Sequence, residues 1–405
     1  MRILVVTEHL DREGHNGSEV FAGELCAVLE RRHELCLVTR GEPRSALSGS
    51  SPVVVLGDEM ARPAASLAAF LKARLRLDDF DLVYNLGGLL FGSQITHVLG
   101  LLGGSVPVVN HFQALLGSYA RYEGLDEIHQ QAHATLQRAV SRAAVLNIFP
   151  SLAELQQAAR EGYGSPLTDA IVIPNGVSRE AFRDLEPDGS HPSDRQSPEN
   201  LGGSGERPLI LATAGRFSDY VKGADLVYRA FAELRRDRRD VFLLSIGNAP
   251  RFAEILKGLP EDCFRLRPWL PRRRFLAALA AADAVVLPSR YEPFGMIAVE
   301  AMMLGLPVVA SAVGGLREIV SHGETGLLSN PEDGSLGLYE ALCELAADRE
   351  AARAMGEAGR RRAETIYEIE RVASRVEQAF HLAVLDSRAR PVRSILADFG
   401  QAELA

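Results

Sequence analysis

Two glutamates, Glu292 and Glu300, lie in a stretch of sequence that could recognise the hydroxyl groups of a ligand. Residues 284–288 and 307–310 are apolar runs typical of buried parallel strands, and residues 295–304 between them have helical length. Because apolar residues flank Glu300 on the predicted helix, an unpaired carboxylate there would be costly to bury. We therefore expect Glu300 to be held by a hydroxylated ligand, by a neighbouring arginine or by backbone amides of a loop.

The start of this predicted helix could bind an anion. Its first amides have no partner within the helix, and the positive end of the helix dipole lies at the same point. Open α/β sheets bind their ligands at the carboxyl edge, where this helix begins. Two carboxylates could accept hydrogen bonds from hydroxyl groups, and the adjacent helix start could bind a phosphate. Together they indicate a binding site for a nucleotide sugar. The amides in question belong to Phe294, Gly295, Met296 and Ile297.

The segment PSRYEPFGMIAVEAMMLGLPVVAS, followed by Gly314-Gly315 and by GETG at 323–326, resembles the donor site of a large glycosyltransferase family. That family is retaining, has GT-B architecture, and carries two glutamates with seven residues between them. Its first glutamate contacts the donor hexose, its second contacts the nucleotide ribose, and the amides between them meet the diphosphate. The resemblance gives these roles to Glu292, as a catalytic residue, to Glu300 and to residues 294–297.

Arg216 and Lys222 are candidate partners of a diphosphate. The apolar strand LILATAGRF leads into Gly215-Arg216, and Lys222-Gly223 precedes the next predicted helix. Two cations at the carboxyl edge of that strand would neutralise a diphosphate leaving group. Surface charge is the alternative for either residue. Both pairs stand at the spacing of the family, and only three of the 44 basic residues are lysines. We therefore predict catalytic roles for Arg216 and Lys222.

His111 ends the apolar strand VPVVNHF, at the predicted carboxyl edge of a sheet. A histidine there could simply cap the strand. The family places a histidine at this strand end against the donor sugar, usually bonded to its hydroxymethyl oxygen. The resemblance thus makes His111 catalytic, and we assign its neighbours Asn110 and Gln113 to the acceptor side.

The loop after the first strand, LDREGHNGSEVF, should lead into a helix capped by Ser18. In the family this loop carries paired glycines that approach the acceptor and the donor phosphates. Asn16 stands where the first glycine is usual, and Gly17 keeps the second. We assign Gly17 to the donor and Asn16 to the acceptor, and the alternative is a mobile surface loop.

The chain alternates predicted strands and helices, which indicates an α/β protein of doubly wound parallel sheets. The resemblance implies the GT-B fold, with two Rossmann-like domains facing across a cleft. We place an acceptor domain at residues 1–183, a flexible linker at 184–207 and a donor domain at 208–371. A C-terminal helix in 372–405 should cross back to the first domain. Strands of the first domain are predicted at 2–8, 34–40, 52–56, 81–86, 106–111, 146–150 and 170–174.

Composition excludes several classes of function. A net charge of −9 argues against a nucleic-acid partner, which would need a basic face. Residues 1–183 hold 16 basic and 20 acidic side chains, so we do not expect membrane association through that domain. The apolar start MRILVVTE reaches an acid too soon for a signal peptide, and no apolar run approaches the ~18 residues of a membrane span. We expect a cytoplasmic protein.

Metal and disulfide sites are not expected either. The four cysteines are scattered without a CxxC pair, which favours core thiols. Asp79 and Asp81 match a DxD metal motif, but they precede a strand and so should lie at the amino edge of the sheet, away from the site. We expect no metal and no cofactor.

The sequence favours transfer of a hexose from a nucleoside-diphosphate sugar, UDP or GDP based, to a small soluble acceptor with retention. Its partners would then be small molecules, and the sequence leaves open whether the protein forms a homodimer. A nucleotide-sugar epimerase of the same fold, a transferase for a lipid or glycan acceptor, and a non-catalytic nucleotide-sugar-binding protein are the alternatives.

Overall fold

The protein folds into two compact units, each built on one parallel sheet. The first unit contains residues 1–176 and 369–405, and the second contains residues 177–368. The sequence placed these boundaries a few residues later, at 183 and 371. The computed structural model describes residues 1–12, 16–42, 51–57, 64–87, 91–101, 106–122, 124, 126–163, 169–185, 207–216, 220–247 and 252–387. The predicted linker at 184–207 lies outside this part of the chain except at its two ends.

The first unit has a seven-stranded sheet in the order β3-β2-β1-β4-β5-β6-β7. All neighbouring strands are parallel, and their nearly continuous apolar burial is what a sheet covered on both faces requires. The order reverses between β1 and β4, as in doubly wound folds. The strands are β1 (Arg2–Thr7), β2 (Glu34–Thr39), β3 (Val53–Val55), β4 (Leu82–Leu86), β5 (Val108–His111), β6 (Leu146–Phe149) and β7 (Ala170–Val172).

Helices connect these strands and cover the sheet. They are α1 (Gly17–Glu30), α2 (Ala64–Lys72), α3 (Phe91–Leu101), α4 (Leu116–Tyr122), α5 (Glu127–Ala143) and α6 (Leu152–Arg160). Helix α13 (Ile369–Ser387), the last helix among the described residues, also belongs to this unit. Arg32 and His33, just after α1, contact Glu377 of α13 at 2.6 and 2.9 Å, and Phe380 packs edge-on against Tyr84. Residues separated by most of the sequence thus complete one core.

The second unit has a six-stranded parallel sheet in the order β10-β9-β8-β11-β12-β13. This order reverses between β8 and β11, which makes that pair the switch point where such sheets bind ligands. The strands are β8 (Leu209–Ala214), β9 (Val241–Ile246), β10 (Phe264–Arg267), β11 (Ala284–Leu287), β12 (Val308–Ser311) and β13 (Gly326–Ser329). The helices are α7 (Ala224–Asp237), α8 (Arg272–Ala280), α9 (Met296–Met303), α10 (Leu316–Ile319), α11 (Gly334–Ala347) and α12 (Arg349–Ile366).

Two parallel, doubly wound sheets confirm the predicted fold class. The predicted strand–helix–strand unit around the two glutamates forms as β11, α9 and β12. Its strands pair in register, with Val285 opposite Val308 and Leu287 opposite Ala310. Among the described residues, no helix is both long enough and apolar enough to cross a membrane.

Candidate active site

The switch point of the second unit carries a lysine and a glutamate in direct contact. Lys222 follows β8 and Glu292 follows β11, so both side chains start from the carboxyl ends of adjacent strands. Lys222 Nζ lies 2.8 Å from Glu292 Oε2, and Ser289 Oγ lies 3.3 Å from the same oxygen. The two side chains keep 23% and 16% of their surface exposed. The pair is therefore ordered by contact and still open to a ligand.

Arg290 clamps the loop after β8 to the loop after β11. Its backbone amide donates to the carbonyl of Val221 at 2.7 Å, and its guanidinium forms a bidentate pair with Asp225 at 2.8 and 2.7 Å. The guanidinium also lies over the ring of Tyr220, 3.9 Å from its centre. These contacts fix the loop that presents Lys222. Sequence reasoning missed them because Arg290 and Asp225 are 65 positions apart.

Two glycines let backbone segments meet at this site. Gly223 has φ +65°, and a Cβ there would lie 2.0 Å from the carbonyl oxygen of Pro288. Gly314 has φ +47°, and its Cβ would lie 2.0 Å from the carbonyl oxygen of Glu292. Only glycine tolerates both the positive φ and the close approach. The loops around Lys222 and Glu292 are thus held in place by direct backbone packing.

Helix α9 begins at this edge of the sheet. Gly295, at φ +119°, caps the helix, and the first helical hydrogen bonds run from Ala298 and Val299 to the Gly295 carbonyl. The amides of Met296 and Ile297 come before those bonds and so remain available to an anion. The side chain of Phe294 is buried against Tyr367, which anchors the turn instead of facing a ligand.

Glu300 is held by Arg272, the first residue of α8. Arg272 Nη1 donates to Glu300 Oε1, and the side chains are 6% and 2% exposed. The neighbouring arginine that the sequence left open is therefore present. Burial raises the pKa of Glu300, and the adjacent Arg272 acts against that rise.

Arg272 opens a run of three arginines at residues 272–274. Such a run is typical of a solvated helix face, whereas Arg272 is buried. The sequence contains a hint of this difference. The run opens a helix, where acidic residues are favoured and cations oppose the helix dipole, so the local preferences of the helix do not explain an arginine at position 272.

Arg216 lies just beyond β8, after Gly215, whose amide donates to the carbonyl of Ile246 at 3.1 Å. Its side chain is exposed. The structure thus places Arg216, Lys222, Glu292 and the start of α9 at the switch-point edge of one sheet. It brings Lys222 and Glu292 into contact and pairs Glu300 with a different residue.

In the first unit, His111 is fully buried at the end of β5. The Tyr84 hydroxyl lies 2.6 Å from Nδ1, and the ring of Phe21 packs edge-on at 5.6 Å. Its Nε2 is buried without a hydrogen-bond partner among the described residues. Burial lowers the pKa of His111 to about 3. The imidazole is therefore neutral at physiological pH, and it could donate or accept a hydrogen bond but supply no charge.

The buried His111 should make the protein less stable in mild acid. Between pH 6.5 and 3 the unfolded chain protonates this histidine while the folded chain does not. Stability is therefore fully present above pH 6.5 and falls as the pH is lowered, by up to about 1.4 kcal/mol per pH unit from this group. Urea unfolding at pH 7 and pH 5 should show a shallower loss for His111→Gln than for the wild type. Equal losses of unfolding free energy in the two proteins would contradict a lowered pKa for His111.

Asn110 and Gln113, the two acceptor candidates next to His111, have structural contacts of their own. Asn110 belongs to a buried amide ladder, with Asn85 Nδ2 2.7 Å from its Oδ1 and its own Nδ2 3.1 Å from Asn147 Oδ1. Gln113 Oε1 accepts from Asn175 Nδ2 at 2.9 Å, and Gln113 Nε2 has no partner among the described residues. Asn110 is therefore committed to the ladder, whereas Gln113 keeps a donor.

The cap of α1 is Asn16 and not Ser18. The Asn16 side chain accepts from the amide of Ser18 at 3.3 Å, and the helix begins at Gly17. Asparagine caps helices as well as serine does, and Asn16 stands two residues before the predicted cap. Gly17 thus lies in the first turn of a helix that starts after β1.

No group of three or more potential metal ligands occurs in the part of the chain that the structure describes. The DxD pair lies at the amino edge of the first sheet, where Asp81 Oδ2 accepts from the amide of Arg2 at 2.7 Å. Asp79 lies 3.9 Å from the Arg2 guanidinium. These aspartates therefore bind the start of β1.

Relatives of known function match different shares of the chain. The D-inositol 3-phosphate glycosyltransferase of Xylanimonas cellulosilytica is 36% identical over 192 residues, which are 46% of this chain and 45% of the relative. The alpha-maltose-1-phosphate synthase of Mycolicibacterium smegmatis is 28% identical over 386 residues, covering 89% of this chain and 94% of the relative. The match to the first of these curated relatives thus spans less than half of its length.

Solved structures share the fold over nearly the whole chain. Sucrose-phosphate synthase from Thermosynechococcus elongatus superposes with a TM-score of 0.72 at 23% identity, over 94% of this chain and 98% of that one. Anabaena HepE in complex with UDP-glucose gives 0.73 at 19% identity, over 94% and 99%.

Two family models match successive parts of the sequence. Residues 15–181 match Glycosyltransferase Family 4, and residues 195–362 match Glycosyl transferases group 1. The two matches fall on the two sheets, with Lys222, Glu292 and Glu300 inside the second. Sequence and fold agree that this chain belongs to the family-four glycosyltransferases of GT-B architecture.

Proposed function

We propose that the protein transfers a hexose from a nucleoside-diphosphate sugar to a small soluble acceptor, without a metal cofactor. The observation that carries this proposal is the Lys222–Glu292 ion pair, fixed at the switch point of the second sheet beside the start of α9. A cation, a carboxylate and free helix amides within one loop cluster suit a ligand that is both anionic and hydroxylated.

The residues divide the chemistry between them. Glu292 would accept hydrogen bonds from hydroxyl groups of the hexose, with Lys222 holding the carboxylate in place. Lys222, Arg216 and the amides of Met296 and Ile297 would stabilise the negative charge of the departing diphosphate. The bond from the anomeric carbon to the diphosphate oxygen breaks as the acceptor oxygen bonds to that carbon. The departing phosphate oxygen takes the acceptor's proton on the same face, so the configuration is retained.

The first unit is assigned the acceptor. Gln113, with its unused Nε2, replaces Asn110 as the preferred contact, and Gly17 and His111 stay candidates for the donor sugar. Two relatives are named for an inositol phosphate acceptor and for maltose 1-phosphate synthesis, which supports a small and phosphorylated acceptor. The HepE complex supports UDP as the first nucleotide to test.

A thermal-shift panel of UDP, GDP, ADP and dTDP with their sugars tests the donor. A ligand at 100 times its dissociation constant stabilises the native state by about 2.7 kcal/mol, so one nucleotide should raise the melting temperature clearly. Glu292→Gln should weaken binding of the nucleotide sugar more than binding of the free nucleotide, because the hexose contact is lost. No shift with any member of the panel would contradict the proposal.

Product analysis with the selected donor then tests the reaction, in buffer containing EDTA. Cyclitols and sugar phosphates are supplied as acceptors, and a parallel sample contains the donor alone. Release of the nucleoside diphosphate that depends on the acceptor, with an α-linked product from an α-linked donor, is expected. A new nucleotide sugar formed from the donor alone would instead establish an epimerase.

A further inference from the structure

The Arg272–Glu300 pair is buried and only partly satisfied. Arg272 uses Nη1 for Glu300, whereas its Nε and Nη2 are buried and have no acceptor among the described residues. Glu300 Oε1 takes that bond, and Arg272 is the only hydrogen-bond partner found for its side chain in the same part of the chain. Buried polar groups normally have partners, so this pair is built to receive a further polar group.

Stability of the fold does not explain this pair. A buried ion pair is often no more stabilising than well-packed apolar residues of the same size. Arg272 also stands at the start of α8, where a cation opposes the helix dipole. Arg272 opens α8, which follows β10, and Glu300 lies in α9, which follows β11, so the pair joins two helices that both begin at the carboxyl side of the sheet.

Other charged side chains near α9 have their own contacts. Arg272 is the charged group whose field acts on Glu300 among the described residues. Lys222 and Glu292, in the loops before α7 and α9, bind each other. On the elements packed against α9, Arg317 bonds to the Ala312 carbonyl, Arg362 to the carbonyls of Ile319 and Glu318, Arg360 to Glu364, and Arg273 to the Asp184 carbonyl.

We propose that Arg272 is the positioning residue for Glu300, holding its carboxylate ionised and in one orientation so that it accepts hydrogen bonds from the ribose of the bound nucleotide. This proposal rests on the proposed function, because it needs a nucleotide at the carboxyl edge of the second sheet. Oε1 is held by Arg272, which directs Oε2 to the ribose hydroxyls. Arg272 Nε and Nη2 can donate hydrogen bonds to an oxygen of the same nucleotide.

Loss of Arg272 should make nucleotide binding depend on pH. Without the guanidinium, burial alone acts on Glu300 and raises its pKa further. A protonated carboxyl is the weaker acceptor, so affinity should be low at low pH and recover as the pH rises through the new pKa. In the wild type the same transition lies at lower pH.

The experiment measures UDP affinity by calorimetry from pH 5 to pH 9, with GDP in parallel, for the wild type, Arg272→Met and Arg272→Lys. At pH 7 we expect Arg272→Met to bind about tenfold to a hundredfold more weakly, which is the loss expected for hydrogen bonds to a charged group. Its pH midpoint should lie above that of the wild type. Arg272→Lys keeps a charge beside Glu300, so its midpoint should lie near that of the wild type.

The double variant Arg272→Met, Glu300→Gln is the matched control. It has no buried unpaired carboxyl, so it should fold even if Arg272→Met does not. Its affinity should be weak and should keep only the pH dependence that comes from the phosphate of UDP itself, which titrates near pH 6. A residual pH dependence equal to that of Arg272→Met would overturn the role of Glu300. A wild-type affinity and midpoint in Arg272→Met would overturn the positioning role while leaving the proposed function intact. Failure of the wild type to bind any nucleotide would instead remove the proposed function, and this inference with it.

Discussion

Replacing Lys222 by alanine should lower kcat by about two to three orders of magnitude, the loss typical of removing one group that stabilises transition-state charge. The lysine lies 2.8 Å from Glu292, in the turn that leads into α9, so its removal deletes a cation and also leaves Glu292 without its ion-pair partner. Steady-state kinetics with the donor selected by the panel would measure the effect. The loss should fall mainly on kcat, because the charge to be stabilised develops as the bond to the diphosphate breaks.

Lys257→Ala is the matched control, since the chain has only three lysines. Lys257 forms an exposed ion pair with Glu254, one helical turn apart, and such pairs contribute little. This variant should keep full turnover. Lys222→Arg should recover part of the activity, because it restores the charge but not its compact shape. Unchanged turnover in Lys222→Ala would remove the lysine from the chemistry.

Gly223→Ala should destabilise the second unit and abolish productive donor binding. The new Cβ would meet the Pro288 carbonyl oxygen at 2.0 Å, in a residue whose φ of +65° already disfavours a side chain. Relief requires the loop after β8 to move away from the loop after β11, which separates Lys222 from Glu292. We expect a loss above about 2 kcal/mol, measured by urea unfolding, together with loss of the nucleotide-sugar thermal shift.

Gly258→Ala separates the effect of backbone strain from the effect of the steric clash. Gly258 has φ +92°, but a Cβ there would meet nothing within 4 Å. This variant carries the backbone strain without the clash, so it should lose about 1 kcal/mol and keep its donor affinity. Equal effects of the two substitutions would show that backbone strain alone accounts for the glycine at 223.

The sheets could be predicted from the sequence because their strands are short apolar runs with helices between them. The β11–α9–β12 unit is an example, since its strands are buried on both faces and pattern alone identifies them. Strand order and register could not be read in the same way. They depend on pairing between runs that lie far apart along the chain, such as β8 with β11.

The residues of the candidate site were predicted more fully than their contacts. Glu300 was expected to need a partner, because pattern shows that a carboxylate is buried. Pattern does not show which of many arginines is near, and Arg272 belongs to a run of three arginines, which is typical of a solvated helix face. The Arg290–Asp225 clamp was missed for the same reason. Local rules also predicted the wrong cap for α1, because Ser18 fits the pattern and the coordinates show Asn16 in that position.

The return of α13 to the first unit has a consequence for synthesis on the ribosome. The second unit is one uninterrupted segment, 177–368, whose ends meet where the Val177 amide donates to the Tyr367 carbonyl at 2.9 Å. It can finish folding as soon as it has emerged, whereas the unit translated first waits for its last helix. At 5–20 residues per second that delay is roughly 10–40 s. The first unit is thus translated first but completes its core last. Its incompletely folded chain is therefore accessible to chaperones for longer than that of the second unit.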